Sequence, residues 1–413
     1  MAFQTHRRVV ITGLGVVASN GIGREAFWHA TSEGVSGIKP IQRFPTIDLP
    51  IKVAGEVLDF QVENYIDRKL VNRTARMTHL VFAAVQEALQ DARIALEQEN
   101  LQRVGVVIAN TFGGAEYALK QVEAFHVRGP RYMSVYTAIA CLQIANVGQI
   151  SVHYGLQGYC KTPITDIVGG LDALGIAHSA IRRGVADVLV TGGCESLLHP
   201  YFLLVLGHSD HCATGDDPHA YRPFDQRATG ILLAEGAGIC ILEEYEHARR
   251  RGVPIYGEIV GYGQTNDARG FGPHTQNGMQ YARAMCLAMQ EARLQPEDIG
   301  YFSLDGRAIP QSDQAEVDAL QRTFGAELQR LPLSVPRTML GHSFAAAGAL
   351  DTITALLAFR YGMIPPTINC EQLLPQYGLN LVRDEARSLF HSAALIGGRG
   401  IGGTNVVLAI KKV

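Results

Sequence analysis

The chain has 413 residues, 47% of them hydrophobic and 18% charged, with a formal net charge of −3. That balance supplies a large buried core, and with no Lys/Arg run longer than Arg249-Arg250-Arg251 it argues against nucleic acid or an anionic membrane as partner. The seven cysteines (Cys141, Cys160, Cys194, Cys212, Cys240, Cys286 and Cys370) are odd in number and form no Cys-x-x-Cys pair, which argues against disulfides and zinc and for the reduced thiols of a cytoplasmic protein.

In chain order, residues 1–8 carry charge but no cleavable apolar region, and run straight into a strand-like segment at 8–12. A helical pattern at 77–92 precedes a strand at 104–109. A helix at 170–183 is followed by strands at 187–191, 237–242 and 255–260. A helix at 281–292, a strand at 301–304, helices at 314–324 and 346–361, and strands at 393–396 and 406–410 complete the series. No stretch has membrane-spanning length. The alternation predicts an α/β fold with a mostly parallel sheet covered by helices on both faces.

Two halves share an order of motifs. Val9-Val10-Ile11-Thr12-Gly13-Leu14-Gly15 opens the first and Gly257-Glu258-Ile259-Val260-Gly261-Tyr262-Gly263 the second. Gln86-Glu87-Ala88 and Gln290-Glu291-Ala292 each precede a strand, and Gly170-Leu171-Asp172 and Ala349-Leu350-Asp351 each begin a helix. A duplicated unit is expected, with halves at 1–252 and 253–413 and extra length in the first at about 113–163 and 197–235. Gly13-x-Gly15 after a strand also fits a dinucleotide fingerprint, but Ser19-Asn20-Gly21 stands where pyrophosphate binding wants a helix N-terminus.

Taken together, Arg8-Val9-Val10-Ile11-Thr12-Gly13-Leu14-Gly15, Ile181-Arg182-Arg183-Gly184, Tyr221-Arg222-Pro223-Phe224-Asp225, Gly341-His342-Ser343 and Gly402-Gly403-Thr404-Asn405 resemble the β-ketoacyl synthase family of the thiolase superfamily over essentially the whole chain. The resemblance implies a thiolase fold, with duplicated βαβαβαββ halves in a layered α-β-α-β-α arrangement. It also implies a nucleophilic cysteine at a helix N-terminus, two histidines, a lysine and a glycine-rich loop whose amides help form an oxyanion hole. Carried over residue by residue, the cysteine position is Ile167, the first histidine Asp305, the lysine Arg337, and a phenylalanine of the C-terminal loop Ile401. His342 alone keeps its type. A branched hydrocarbon forms no thioester, and Asp305 sets a carboxylate where an enolate oxyanion would develop.

Within the family, Ser134-Val135-Tyr136, Gly169-Gly170-Leu171-Asp172-Ala173-Leu174 and Asp305-Gly306 look like the chain length factors, the β subunits of type II polyketide ketosynthases. That resemblance implies a non-catalytic subunit paired with a ketosynthase α subunit, serving an acyl carrier protein that presents its chain on phosphopantetheine. Tyr132, Val135 and Ile139, with Cys141 beside them, would then gate the tunnel, lying on one helical face if their segment is helical. No cofactor or metal is expected. The alternatives are an active ketosynthase homodimer using Cys160 or Ser343, and a decarboxylase retaining His342. For Cys141 and Cys160 themselves, small apolar side chains in packing are expected.

Overall fold

The computed structural model describes residues 7–270 and 277–413, so most of the N-terminal segment read above as 1–8 lies outside the described residues. In the first half, five strands run as β1 (Val9–Ala18), β2 (Val104–Ala109), β3 (Cys160–Lys161), β4 (Val188–Glu195) and β5 (Gly236–Glu244). The second half repeats the series with β6 (Gly257–Asn266), β7 (Tyr301–Ser303), β8 (Leu333–Ser334), β9 (Ala393–Arg399) and β10 (Thr404–Lys411). Their spatial orders are the same, β3-β2-β4-β5-β1 and β8-β7-β9-β10-β6, and the halves meet where β1 pairs with β6 at Val9 to Ile259 and Ile11 to Gly257.

Helices complete the layers. α1 (Arg76–Asp91) packs on β1 and β5, whereas α3 (Met279–Ala292) packs on β6 and β10, with α4 (Pro310–Phe324) against it. Between the half-sheets lie α2 (Gly169–Arg182) and α5 (Ala347–Tyr361), which contact each other and strands of both halves. Every α5 residue from Ala347 to Phe359 is buried, so this helix has no polar face to give it an amphipathic signature. The layered thiolase-like arrangement is the one the family resemblance implied.

The expected mostly parallel sheet is corrected. Parallel pairing is confined to β2 with β3 and β4, and to β7 with β8 and β9; the pairs β4–β5, β5–β1, β1–β6, β6–β10 and β10–β9 are antiparallel. A fully buried strand reads as a continuous apolar run in either direction. Connections decide the direction, and the turn 400–403 between β9 and β10 is too short for a crossover.

The Gly-x-Gly pairs have a packing cause. A Cβ on Gly13 or Gly15 would strike the Ala88 or Ala84 carbonyl of α1, and a Cβ on Gly261 or Gly263 would strike the Ala288 or Ala284 carbonyl of α3. Backbone-to-backbone approach of helix to strand therefore recurs at equivalent places in both halves, which accounts for the motif without a nucleotide. Gly15→Ala and Gly263→Ala should each cost about 1–3 kcal/mol, read from the urea midpoint, because the helix must back away from its strand.

Residues 130–141 do not meet the condition of a continuous helix on which a shared face for Tyr132, Val135 and Ile139 depended. A 3-10 turn at Pro130–Tyr132 gives way to extended backbone at Met133, and a single helical turn follows at Thr137–Ala140. Tyr132, Val135 and Ile139 consequently do not share a helical face, and Cys141 sits half-buried in the turn beyond. Gly129, at φ +97, and Pro130 break the periodicity that the side chains suggest. Cys160, expected in packing, is instead exposed on β3 at the end of the sheet. Among the described residues no helix is long and apolar enough to cross a membrane.

Candidate functional site: a buried charge cluster beside Ile167

The parallel triplet β8-β7-β9 delivers its three C-terminal ends to one place. Asp305 and Arg307 follow β7, Arg337 follows β8 at the start of the short helix Arg337–Leu340, and Arg399 ends β9. His342 comes just after that short helix, Ile401 lies in the turn beyond β9, and Ile167 lies in a 3-10 turn, Asp166–Val168, that leads into α2. The structure thus gathers Ile167, Asp305, Arg337, His342 and Ile401 as the sequence led one to expect.

Charge dominates this centre. Asp305 Oδ2 accepts from Arg307 Nε at 2.9 Å and from Arg399 Nε at 3.2 Å, while its Oδ1 accepts from Arg337 Nη1 at 2.8 Å. Arg337 also donates to Asp351 at 2.7 Å, and Arg399 to Glu316 at 3.0 Å. Side chains of all three arginines are 2% exposed, so each carboxylate offsets a desolvated cation rather than a hydrated one. Burial alone would raise the Asp305 carboxyl, yet Arg307, Arg399 and Arg337 hold it well below the usual carboxylate range. Burial wins at the periphery, where Asp313 is pushed up to about 7 and Asp351 to about 6.

His342 is locked in its neutral form. Burial and then Arg337 drive its pKa well down. Phe344 N–H donates to Nδ1 at 3.1 Å, so the one proton of the neutral ring sits on Nε2, which Arg337 Nη1 approaches to 3.2 Å, and a second proton on Nδ1 would set N–H against N–H there.

Beside the cluster is a closed cavity of about 10 Å³ lined mainly by Ile167, Ile401, Phe344, Arg307, His211 and Cys212. That is room for about one water and none for an acyl chain. Phe344 packs on Phe112 at 6.1 Å between ring centres, and Phe112 on Phe202 at 5.2 Å, so aromatic rings separate the cavity from the surface at Phe112. A surface cleft of about 660 Å³ lies elsewhere, among the ion-paired Arg24 and Asp91 and Arg360, which donates to the Tyr256 hydroxyl, and is not connected to this chemistry.

Among the described residues, none of the candidate nucleophiles Cys160, Cys212 and Ser343 is poised to attack. Cys160 is exposed at the sheet edge, away from the cavity lining. Cys212 does line the cavity, but burial pushes its thiol up to about 12, leaving it protonated at neutral pH. Ser343 is buried beside His342, whose two ring nitrogens are already engaged, so it has no base there. Among the described residues no group of three His, Cys, Asp or Glu side chains is placed to hold a metal ion.

Sequence reasoning missed Arg307, Arg399, Glu316 and Phe344. Their signal was present in Asp305-Gly306-Arg307 and Gly398-Arg399-Gly400, arginines set among glycines in a chain with few charges, but nothing along the sequence says that the three arginines converge on one carboxylate. The gating candidates Tyr132, Val135 and Ile139 are not brought to this cavity; they stand 59%, 83% and 52% exposed on the outer surface.

Comparison with known proteins assigns the chain to a family. The model of the β-ketoacyl synthase N-terminal domain matches residues 6–248, and that of the C-terminal domain matches residues 256–371. The chain is 38% identical over 406 residues to the tetracenomycin polyketide synthase ketoacyl synthase beta subunit of Streptomyces glaucescens, covering 98% of each chain. It is also 33% identical over 408 residues to 3-oxoacyl-[acyl-carrier-protein] synthase 2 of Staphylococcus aureus, covering 98% of this chain and 99% of that one. The solved ishigamide ketosynthase/chain length factor superposes with a TM-score of 0.92 at 29% identity, over 99% of this chain and 100% of that chain. With condensing enzymes and ketosynthase β subunits both among its relatives, and with the same repeated halves, the chain belongs to the β-ketoacyl synthase family and resembles its chain length factors.

Proposed function

We propose that the chain is the non-condensing β subunit of a ketosynthase heterodimer, pairing with a catalytic α subunit and setting how far a polyketide grows during condensation of malonyl units on an acyl carrier protein. The observation that carries this reading is Ile167. A hydrocarbon stands, 3% exposed, at the foot of α2 where the family resemblance calls for sulfur, and among the described residues neither Cys160, Cys212 nor Ser343 is placed to act in its stead. The buried ion pairs around Asp305 support it, because they fill the space of an acid–base site with groups committed to one another. Residues 1–252 and 253–413 then serve as the two thiolase-like halves of one protomer.

The partner surface is apolar. Among the described residues, twelve of twenty-two exposed large hydrophobic side chains fall between Phe112 and Ile164, a stretch that ends beside the edge strand β3, and this concentration favours burial against another protein. An α subunit of the same fold would cover it and bring a working cysteine. The phosphopantetheine arm of the carrier protein would deliver the chain to that cysteine, with Tyr132, Val135, Ile139 and Cys141 placed to wall the shared tunnel.

Two measurements test the reading. The isolated chain, given malonyl- and acyl-loaded carrier protein, should release no carbon dioxide and extend no acyl group, whereas its pair with the α subunit should do both; carbon dioxide from the isolated chain would instead indicate a decarboxylase. In the reconstituted pair, Tyr132→Ala or Ile139→Ala should lengthen the product by at least one two-carbon unit by mass spectrometry, since a close-packed wall yields space only when side-chain volume is removed. Unchanged length rejects these residues as the ruler.

A further inference from the structure

Ile167 is not the only feature that sets this centre apart from a working acyl-transfer site. The carboxylate next to it in sequence is spent on two backbone amides. Asp166 Oδ1 accepts from Ile167 N–H at 2.8 Å, and Asp166 Oδ2 accepts from Gly402 N–H at 2.8 Å. The backbone is shaped for this. Asp166 has φ +56, a left-handed conformation that turns its side chain back on the following amide, and Thr111 Oγ1 donates to its carbonyl at 3.2 Å. Gly400 supplies the clearance, since a Cβ there would come within 2.9 Å of Asp166 Oδ2.

Other carboxylates in the chain also bind pairs of amides. Glu195 takes Thr111 and Phe112, and Glu316 takes Asp305 and Gly306, each within one loop, while Asp313 takes Phe224 and Arg307, and Asp225 takes Arg227 and Gln372, across the two halves. Asp166 is set apart by where its two loops lead, since they carry Ile167 and Ile401 to the cavity wall. Two N–H donors converging from such loops are the usual means of steadying negative charge on the oxygen of an attacked carbonyl. A carboxylate bound between them already supplies that charge.

We propose that Asp166 is a built-in anion that occupies the amide pair of Ile167 and Gly402, so that this centre is closed to an acyl carbonyl independently of the missing thiol. This rests on the reading of the chain as a non-condensing subunit, and it predicts that restoring the cysteine alone does not restore acyl transfer. In the reaction considered, a cysteine sulfur at position 167 bonds to the thioester carbonyl carbon, the carbonyl oxygen carries negative charge in the tetrahedral intermediate, and the carbon–sulfur bond to the leaving thiolate breaks. The leaving thiolate takes up the proton that the cysteine gave up, and nothing is oxidised or reduced.

The test uses the full chain in three forms: wild type, Ile167→Cys, and Ile167→Cys with Asp166→Gly. Glycine suits the left-handed backbone and frees both amides. An acetyl thioester of N-acetylcysteamine serves as acyl donor, because its acyl group needs only the space that the loss of the Asp166 and Ile167 side chains opens and no chain tunnel, with intact mass and peptide mapping as readout, and iodoacetamide alkylation of the new cysteine serves as a control, since that displacement develops no oxyanion. Because one such donor is worth on the order of 100-fold or more in rate, the double variant should acylate at position 167 at least about 100-fold faster than Ile167→Cys, while the two alkylate at rates within about threefold. A second double variant with Asp166→Asn, which keeps an acceptor but not the charge, should fall between them. Equal acylation of Ile167→Cys and the Asp166→Gly double variant, including none in either, overturns the proposal, as does a gain in alkylation that matches the gain in acylation. Acylation of the wild-type chain would defeat the non-condensing reading instead, and peptide mapping tells the two failures apart.

Discussion

Asp305→Asn should lower the stability of the chain by about 3–5 kcal/mol, because it removes the one carboxylate shared by three buried arginines while leaving all three in place. Asparagine matches the shape and can accept a hydrogen bond at one atom, so the loss reports charge rather than volume. Arg307 suffers most. Its Nε bond to Asp305 is its side chain's hydrogen bond within the cluster, and its Nη1 and Nη2 find no acceptor among the described residues. Arg337 and Arg399 retain Asp351 and Glu316. Urea unfolding monitored by circular dichroism would measure the effect, with an unchanged slope showing that the midpoint shift is a change in stability. A loss below about 1 kcal/mol would mean that the cluster tolerates net positive charge and that Asp305 is not its organising anion. The same experiment bears on function, because a residue kept for acid–base chemistry usually costs stability, whereas Asp305 contributes it.

Val135→Asp and Val152→Asp should each weaken pairing with the α subunit while leaving the isolated chain folded. Both side chains are 83% exposed, so a carboxylate there stays hydrated in the free chain and is desolvated without a partner only in the complex. Together they should weaken association at least about 100-fold, equivalent to about 2.7 kcal/mol. Co-expression followed by sizing with light scattering, with the thermal midpoint of each free variant as control, gives the answer. A one-to-one pair that survives both substitutions would place the partner on another face and leave the exposed apolar stretch from Phe112 to Ile164 unexplained.

Periodicity located the helices well. The expected 77–92, 170–183, 281–292 and 346–361 correspond to Arg76–Asp91, Gly169–Arg182, Met279–Ala292 and Ala347–Tyr361. The helix expected at 314–324 begins earlier, at Pro310, which suits a first helical position because its missing N–H has no intrahelical partner to lose. Strands were found but cut short: 8–12 extends to Val9–Ala18 and 255–260 shifts to Gly257–Asn266, because the glycines in both look like ends when read along the chain. In the structure those glycines are where a helix lies directly on the strand.

What the amino-acid order determined by itself was identity at each position: a duplicated α/β chain, an isoleucine where the family resemblance implies a thiol, and an aspartate and an arginine where it implies a histidine and a lysine. Those are statements about which atoms exist, and no folding can supply a sulfur that is not encoded at that position. Tertiary structure alone decided how the charges spend themselves. Arg337 and Arg399 are distant in sequence from Asp305 and join Arg307 on it only because three parallel strands end side by side, and Asp166 reaches Gly402 only because the two halves close on each other. Pairing of buried charges depends on distance and desolvation, which the fold sets and the linear order of residues does not.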